Sequence, residues 1–249
     1  MTGSKLTSSL LTLVKPTTLS SDLIKKTIPT TAHELSIDGV PIPQVESSKF
    51  LGVFVDQHLK WNVHTFEISK KIRKNLGILR RISYLLPTFI LKNLYHALIQ
   101  PYLSYCNFIW SSTYPTHLST LNILQKKAIR IITKSSYNSH TKPLFEDLKI
   151  FKIEQIRFIQ TGEFMFKYAN NMLPIAFLSF FTPVSSVITT RSNRAYICQY
   201  ARTNTRKFSI QYQGPLVWNN LPKDIRTAHS LPHFKRLIRT HTLNIENGK

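Results

Sequence analysis

The stretch His64-Thr-Phe-Glu-Ile-Ser-Lys-Lys-Ile-Arg-Lys-Asn-Leu-Gly-Ile-Leu-Arg-Arg-Ile-Ser-Tyr-Leu-Leu86 decides the fold class. Within it Ile68, Ile72, Leu76, Leu79 and Ile82 recur at spacings of three and four, so at 100° per residue they occupy one face of a helix. Lys70, Lys71, Arg73, Lys74, Arg80 and Arg81 fall largely on the other face. A solvated helix face ordinarily mixes signs, with Glu-to-Lys pairs one turn apart. Here six cations follow Glu67 with no further acid among them, which points to a surface that meets phosphates.

The same bias extends outward. From Ile68 to Phe145 there is no acidic residue, and from Phe164 to Ile245 the sole acid is Asp224. With 33 Lys+Arg against 12 Asp+Glu in 249 residues, the net charge of +21 implies a polyanionic partner. Lys and Arg bind phosphates by releasing condensed counterions, so RNA or DNA held by its backbone is the expected partner. An anionic membrane surface is the second choice; the partner expected is nucleic acid and not a membrane. At 42% hydrophobic the chain has material for a core, which excludes a wholly disordered basic tail.

Helical periodicity continues downstream. A second helix is expected from Pro87 toward Gln100, ended or bent by Pro101. A third spans about His117 to Lys134, with Leu118, Leu121, Leu124, Ala128 and Ile131 or Ile132 inward and Lys126, Lys127 and Arg130 projecting. A fourth runs from Phe151 to Asn171, and a last amphipathic helix from Ser230, a suitable N-cap, to Leu243. Upstream, Leu35 and Ile37, the turn pair Asp38-Gly39, and Val40 and Ile42 read as a hairpin. Lys49-Phe-Leu-Gly-Val-Phe-Val-Asp56 reads as a buried strand, with Asp56 placed to cap the segment that follows. Phe208, Ile210 and Tyr212 alternate like a short strand ending at Gly214-Pro215, and Leu216 to Pro222 reads as a loop.

The expected fold class is therefore mainly α: a helical bundle, a small antiparallel β-hairpin unit near the N-terminus, and a short C-terminal β/helix extension. Four regions follow: a poorly structured Ser/Thr-rich lead-in over 1–33, a β-hairpin unit over 34–63, a basic helical region over 64–173, and the extension over 174–249. Residues 174–205 read as a linker or extended segment.

Catalytic signatures are missing from the sequence. Seven glycines leave phosphate loops scarce, and neither GxGxxG nor GxxxxGK[ST] occurs. Two-metal phosphoryl chemistry needs clustered carboxylates, and the sole adjacent acidic pair, Glu146-Asp147, reads as a surface helix start. No HExxH or GxSxG is present. Cys106 and Cys198 stand far apart without a CxxC, which argues against zinc and fits a reducing compartment. Cys106, between Tyr105 and Asn107, reads as packing rather than a reactive thiol. No cofactor, metal or catalytic residue is assigned. With no run of 18 apolar residues and no signal peptide, an intracellular protein, nuclear or cytoplasmic, is expected.

Taken in order, Lys49-Phe-Leu-Gly-Val-Phe-Val-Asp56, Leu59-Lys-Trp61 and His64 resemble the segment that follows the catalytic palm in reverse transcriptases of non-LTR (LINE-type) retrotransposons. The resemblance continues through Ile78-Leu-Arg-Arg81, Leu94-Tyr95, Ala97-Leu98, Pro101-Tyr-Leu-Ser-Tyr-Cys106, Trp110 and Leu124-Gln-Lys-Lys-Ala-Ile-Arg-Ile-Ile132. It ends with Gly214-Pro-Leu-Val-Trp218-Asn219, Leu221-Pro222 and Phe234-Lys235, so it runs over about positions 34 to 243.

That resemblance implies a primer-grip-like hairpin with Phe50, Leu51 and Gly52 near the primer end. It implies a thumb whose Lys70, Lys71, Arg73, Lys74, Arg80 and Arg81 face the backbone of a template–primer duplex. The aromatic-x-Asp-Asp turn of the family's polymerase centre does not occur in this chain. The resemblance therefore implies a C-terminal piece of an RNA-directed DNA polymerase without its catalytic palm; in one rival reading its partner is a separately supplied palm domain. The alternatives are a stand-alone basic nucleic-acid-binding protein without catalysis and a translated relic of a transposable element.

Overall fold

A computed structural model describes residues 36–38, 40, 41, 43, 45–184 and 195–246. The expected lead-in, Leu35, Gly39, Ile42 and part of the 174–205 segment lie outside the described residues. Residues 1–44 and 45–249 form two separate compact units.

In the first unit, β1 (Ser36–Ile37) and β2 (Val40–Pro41) pair antiparallel, Ser36 opposite Pro41 and Ile37 opposite Val40. Asp38 takes the left-handed conformation in the turn, φ 51°, which Asp tolerates because its short side chain bonds locally. The hairpin expected here is present.

The second unit opens with another hairpin, where the sequence reading expected one buried strand. β3 (Ser47–Phe50) and β4 (Val53–Asp56) pair antiparallel, with Phe50 opposite Val53. Leu51 and Gly52 both have positive φ, 45° and 86°. That is the type I′ geometry whose twist suits a two-residue hairpin, and the glycine supplies it without strain. β3 is exposed throughout and Val53 of β4 is buried. Asp56 then performs the capping expected of it. Its Oδ1 accepts from the amides of His58 (3.1 Å) and Lys60 (2.9 Å), and Oδ2 from that of Trp61 (2.6 Å). Burial alone raises its pKa, but these amides prevail and hold the carboxyl below its ordinary value.

α1 (Asn62–Ile82) follows, then α2 (Thr88–Leu98), α3 (Gln100–Ser104), α4 (Asn107–Trp110), α5 (Pro115–Ile132), α6 (Thr141–Leu148) and α7 (Ile153–Ala169). The periodicity places α1, α2, α5 and α7, whereas the short helices α3, α4 and α6 were not expected from it. Ile68, Ile72, Leu76 and Leu79 of α1 and Leu121, Leu124 and Ala128 of α5 are buried in a first core cluster, with Leu91 and Tyr95 of α2. Tyr95 is fully buried, and its hydroxyl accepts from Gln125 Nε2 at 2.9 Å. Glu146-Asp147 falls at the end of α6 rather than at a helix start, because the helix begins at Thr141 and stops at left-handed Lys149.

The C-terminal part departs most from expectation. Phe208 and Ile210 belong to α8 (Asn204–Phe208) and α9 (Ile210–Asn220), so the expected strand at Tyr212 is helix, as is the expected loop from Leu216 as far as Asn220. Tertiary packing overrides the turn signal of Gly214-Pro215, both of which are buried. A Cβ at Gly214 would lie 2.7 Å from Met165 Sδ and 3.0 Å from Phe181 Cε1, so the missing side chain lets α9 approach α7. α10 (Lys223–Arg226) and α11 (Leu231–Glu246) complete the chain, with Ser230 Oγ accepting from the His233 amide at 3.4 Å. A second core cluster gathers Met165 and Phe166 of α7, Phe181, Trp218, and Phe234 and Ile238 of α11. Phe234 stacks on Phe166 with ring centroids 4.6 Å apart and on Trp218 at 5.9 Å. In this part, among the described residues, β structure is limited to one antiparallel bridge between Pro183 and Tyr196. Asn219 holds it: Oδ1 accepts from the amides of Ala195 (2.9 Å) and Tyr196 (3.2 Å), and Nδ2 donates to the Tyr196 carbonyl (2.8 Å).

Candidate nucleic-acid interface

The apolar stripe of α1 is committed to the core, so its cations are turned outward. Lys70, Lys71, Arg73, Lys74, Arg80 and Arg81 are all exposed. By helical geometry Lys70, Lys74 and Arg81 align within about 40°, Arg73 and Arg80 run alongside, and the whole row extends about 16 Å. Lys70 Nζ lies 2.8 Å from Glu67 Oε1 and 4.3 Å from the centre of the Phe66 ring. Among the described residues, the other five cations have no carboxylate partner, although Lys71 Nζ sits 5.6 Å from the Tyr102 ring centre. Lys126 and Lys127 of α5 are likewise exposed.

Arg130 has a different occupation. It is half-buried, and its Nε and Nη2 both donate to the Ser139 carbonyl, at 3.0 and 2.9 Å. Its guanidinium thus braces the loop between α5 and α6, and its contact with that loop was not visible from helical spacing.

Phe50 and Leu51 are 60% and 73% exposed at the β3–β4 tip, beside Gly52. Two residues to which the sequence assigned no place in the site anchor this tip to the helices. Tyr105 donates its hydroxyl to the Leu51 carbonyl at 2.7 Å. Beneath the hairpin, the amide of Phe54 donates to Nδ1 of buried His64 at 3.3 Å, and the imidazole meets Trp110 edge-on at 5.4 Å. Burial, aided by the positive charge of Lys71, lowers the His64 pKa to about 4, so the ring is neutral near pH 7. Cys106 is half-buried against the first core cluster.

No group of three or more His, Cys, Asp or Glu side chains able to hold a metal occurs among the described residues, nor does a helix long and apolar enough to cross a membrane. The arrangement is an exposed cationic helix face and an apolar hairpin tip, both fixed to a packed helical body.

About half of the chain is related in sequence to RNA-directed DNA polymerases of transposons, which bears out the resemblance to non-LTR reverse transcriptases. It is 29% identical over 118 residues to a probable RNA-directed DNA polymerase from transposon X-element of Drosophila melanogaster, covering 46% of this chain and 13% of that protein. It is 27% identical over 125 residues to the RNA-directed DNA polymerase from mobile element jockey of the same fly, covering 48% and 13%. The corresponding protein from transposon BS is 23% identical over 133 residues, covering 52% and 15%. The matched stretches thus span only 13–15% of the curated relatives' length. No family model and no solved structure matches.

Proposed function

We propose that this chain is the thumb-like, nucleic-acid-holding part of a retrotransposon reverse transcriptase, and that it grips a template–primer duplex by its phosphate backbone without performing the chemistry. The observation that carries this reading is the exposed row Lys70, Lys71, Arg73, Lys74, Arg80 and Arg81 on α1, opposed by Glu67 alone. Lys126 and Lys127 extend the cationic surface onto α5. Phe50, Leu51 and Gly52 offer an apolar tip to the primer end, and a palm domain supplies the polymerase centre. Contacts to phosphates position a duplex but do not read its sequence, so selectivity among sequences is slight.

Titration of a labelled RNA–DNA duplex against salt tests the reading. If about six to ten phosphates are neutralised, affinity falls roughly 10³–10⁵-fold between about 50 and 200 mM salt. A flat response overturns it.

A further inference from the structure

α5, α6 and the start of α7 line a half-open hollow of about 290 Å³. Three lysines from three different elements line it: Lys126 of α5, Lys142 of α6 and Lys152, which precedes α7. A single carboxylate, that of Glu154, shares the lining, and its Oε1 already accepts from Asn122 Nδ2 at 3.1 Å. The wall of the hollow is firm. Gln125 is buried and spends both its amide protons, on the Tyr95 hydroxyl and on the Phe151 carbonyl, each at 2.9 Å. Phe145, buried at 3% exposure, carries Lys152 Nζ 5.7 Å from its ring centre. Thr141 also lines the hollow.

These features select a ligand. The volume is at the small end of ligand sites, which suits one compact group rather than an extended molecule. An excess of lysines favours an anion, and ammonium groups on separate flexible stems can surround a tetrahedral phosphate as point charges, without the planar fork that pairs with a carboxylate. We propose that this hollow seats a single phosphate group, held by Lys126 and Lys142. The inference rests on the proposed backbone grip and deepens it: it makes this hollow the place where one phosphate is met from two helices at once. The shared chemistry is a phosphate, carried either by a nucleic-acid backbone or by a free phosphate.

The test uses the full chain in solution. ¹H–¹⁵N spectra are recorded during titration with inorganic phosphate, on the wild type and on Lys142→Glu, Lys142→Gln and Lys126→Glu. Both lysines are exposed, so these variants are expected to fold. The expected result is a saturable shift of the Lys126, Lys142 and Phe145 amides, weakened about tenfold or more by either charge reversal and less by Lys142→Gln. No saturable shift at these amides, or shifts untouched by both reversals, overturns the proposal. A parallel duplex titration separates the sources. Loss of duplex affinity in Lys142→Glu assigns the hollow to a backbone phosphate, and unchanged duplex affinity with lost phosphate binding assigns it to a free phosphate. Failure of the α1 reading shows elsewhere, as duplex binding insensitive to reversal on α1, and leaves the phosphate titration unaffected.

Discussion

The Tyr105 hydroxyl donates to the Leu51 carbonyl across 2.7 Å, joining residues 54 positions apart and tying the β3–β4 tip to the segment between α3 and α4. The tip has left-handed backbone at Leu51 and Gly52, and every residue of β3 is exposed. Tyr105→Phe should leave the circular-dichroism spectrum unchanged while speeding amide exchange in the hairpin several-fold, because local opening loses one of its restraints. Exchange rates equal to those of the wild type would show that β4 packing alone holds the tip.

Acid should act through His64. Its pKa is about 4 in the folded chain and 6.5 when unconstrained, so between these values the unfolded state binds more protons. The stabilisation is complete above pH 6.5 and is lost as pH falls toward 4, by up to about 3 kcal/mol. The Asp56 carboxyl, held below 3.8, acts in a separate and lower window: its contribution is present above 3.8 and is lost as pH falls through its folded value. Urea midpoints at pH 7 and pH 4.5 should converge in His64→Gln relative to the wild type, since glutamine keeps an acceptor for Phe54 but takes no proton.

Two glycine-to-alanine changes should have opposite signs. Nothing lies within 4 Å of a Cβ placed on Gly77 in α1, so Gly77→Ala should stabilise by up to about 1 kcal/mol through helix propensity. Gly214→Ala adds the same propensity but drives a methyl group toward Met165 and Phe181, and overpacking of about 1–3 kcal/mol should dominate. Thermal denaturation of the two variants decides both signs.

Charge reversal at Arg73, Lys74 and Arg81 together should weaken duplex binding and flatten its salt dependence by about three contacts' worth of slope, with helicity preserved. Arg130→Gln should instead lower stability more than affinity, because its guanidinium braces the Ser139 loop. Affinity unchanged by the triple reversal would make the α1 row a merely solvated face.

Helices whose apolar residues recur every three or four positions were legible from sequence, as Ile68 to Leu79 and Leu118 to Ala128 illustrate. What local pattern could not reveal was decided by distant partners. Phe208, Ile210 and Tyr212 alternate like a strand, yet α9 is helical where it lies against α7, and Gly214 reads as a break until Met165 is seen beneath it. The split of Lys49–Asp56 at Leu51-Gly52 was missed for a different reason: an apolar run masked a two-residue turn in which only one residue is glycine. For the site, outward-facing lysines followed from the periodicity of α1. The engagement of Arg130 depends on how the following loop folds back, and the convergence of Lys126, Lys142 and Lys152 depends on three separate elements. Lys142 lay within the acid-free window, the one local signal that could have drawn notice to it.

α7 gives Ile153 and Ile156 to one core cluster and Ile159, Met165 and Phe166 to the other. The first of these clusters also contains Ile72 and Leu79, the underside of the cationic helix. Stiffness is therefore shared along a single rod. A truncation beneath Trp218 or Phe234 would loosen the far end of α7 and, through it, the footing of α1. Weakened nucleic-acid binding in such a mutant would report compliance in the scaffold, so a scan for contact residues has to be read beside a measure of rigidity.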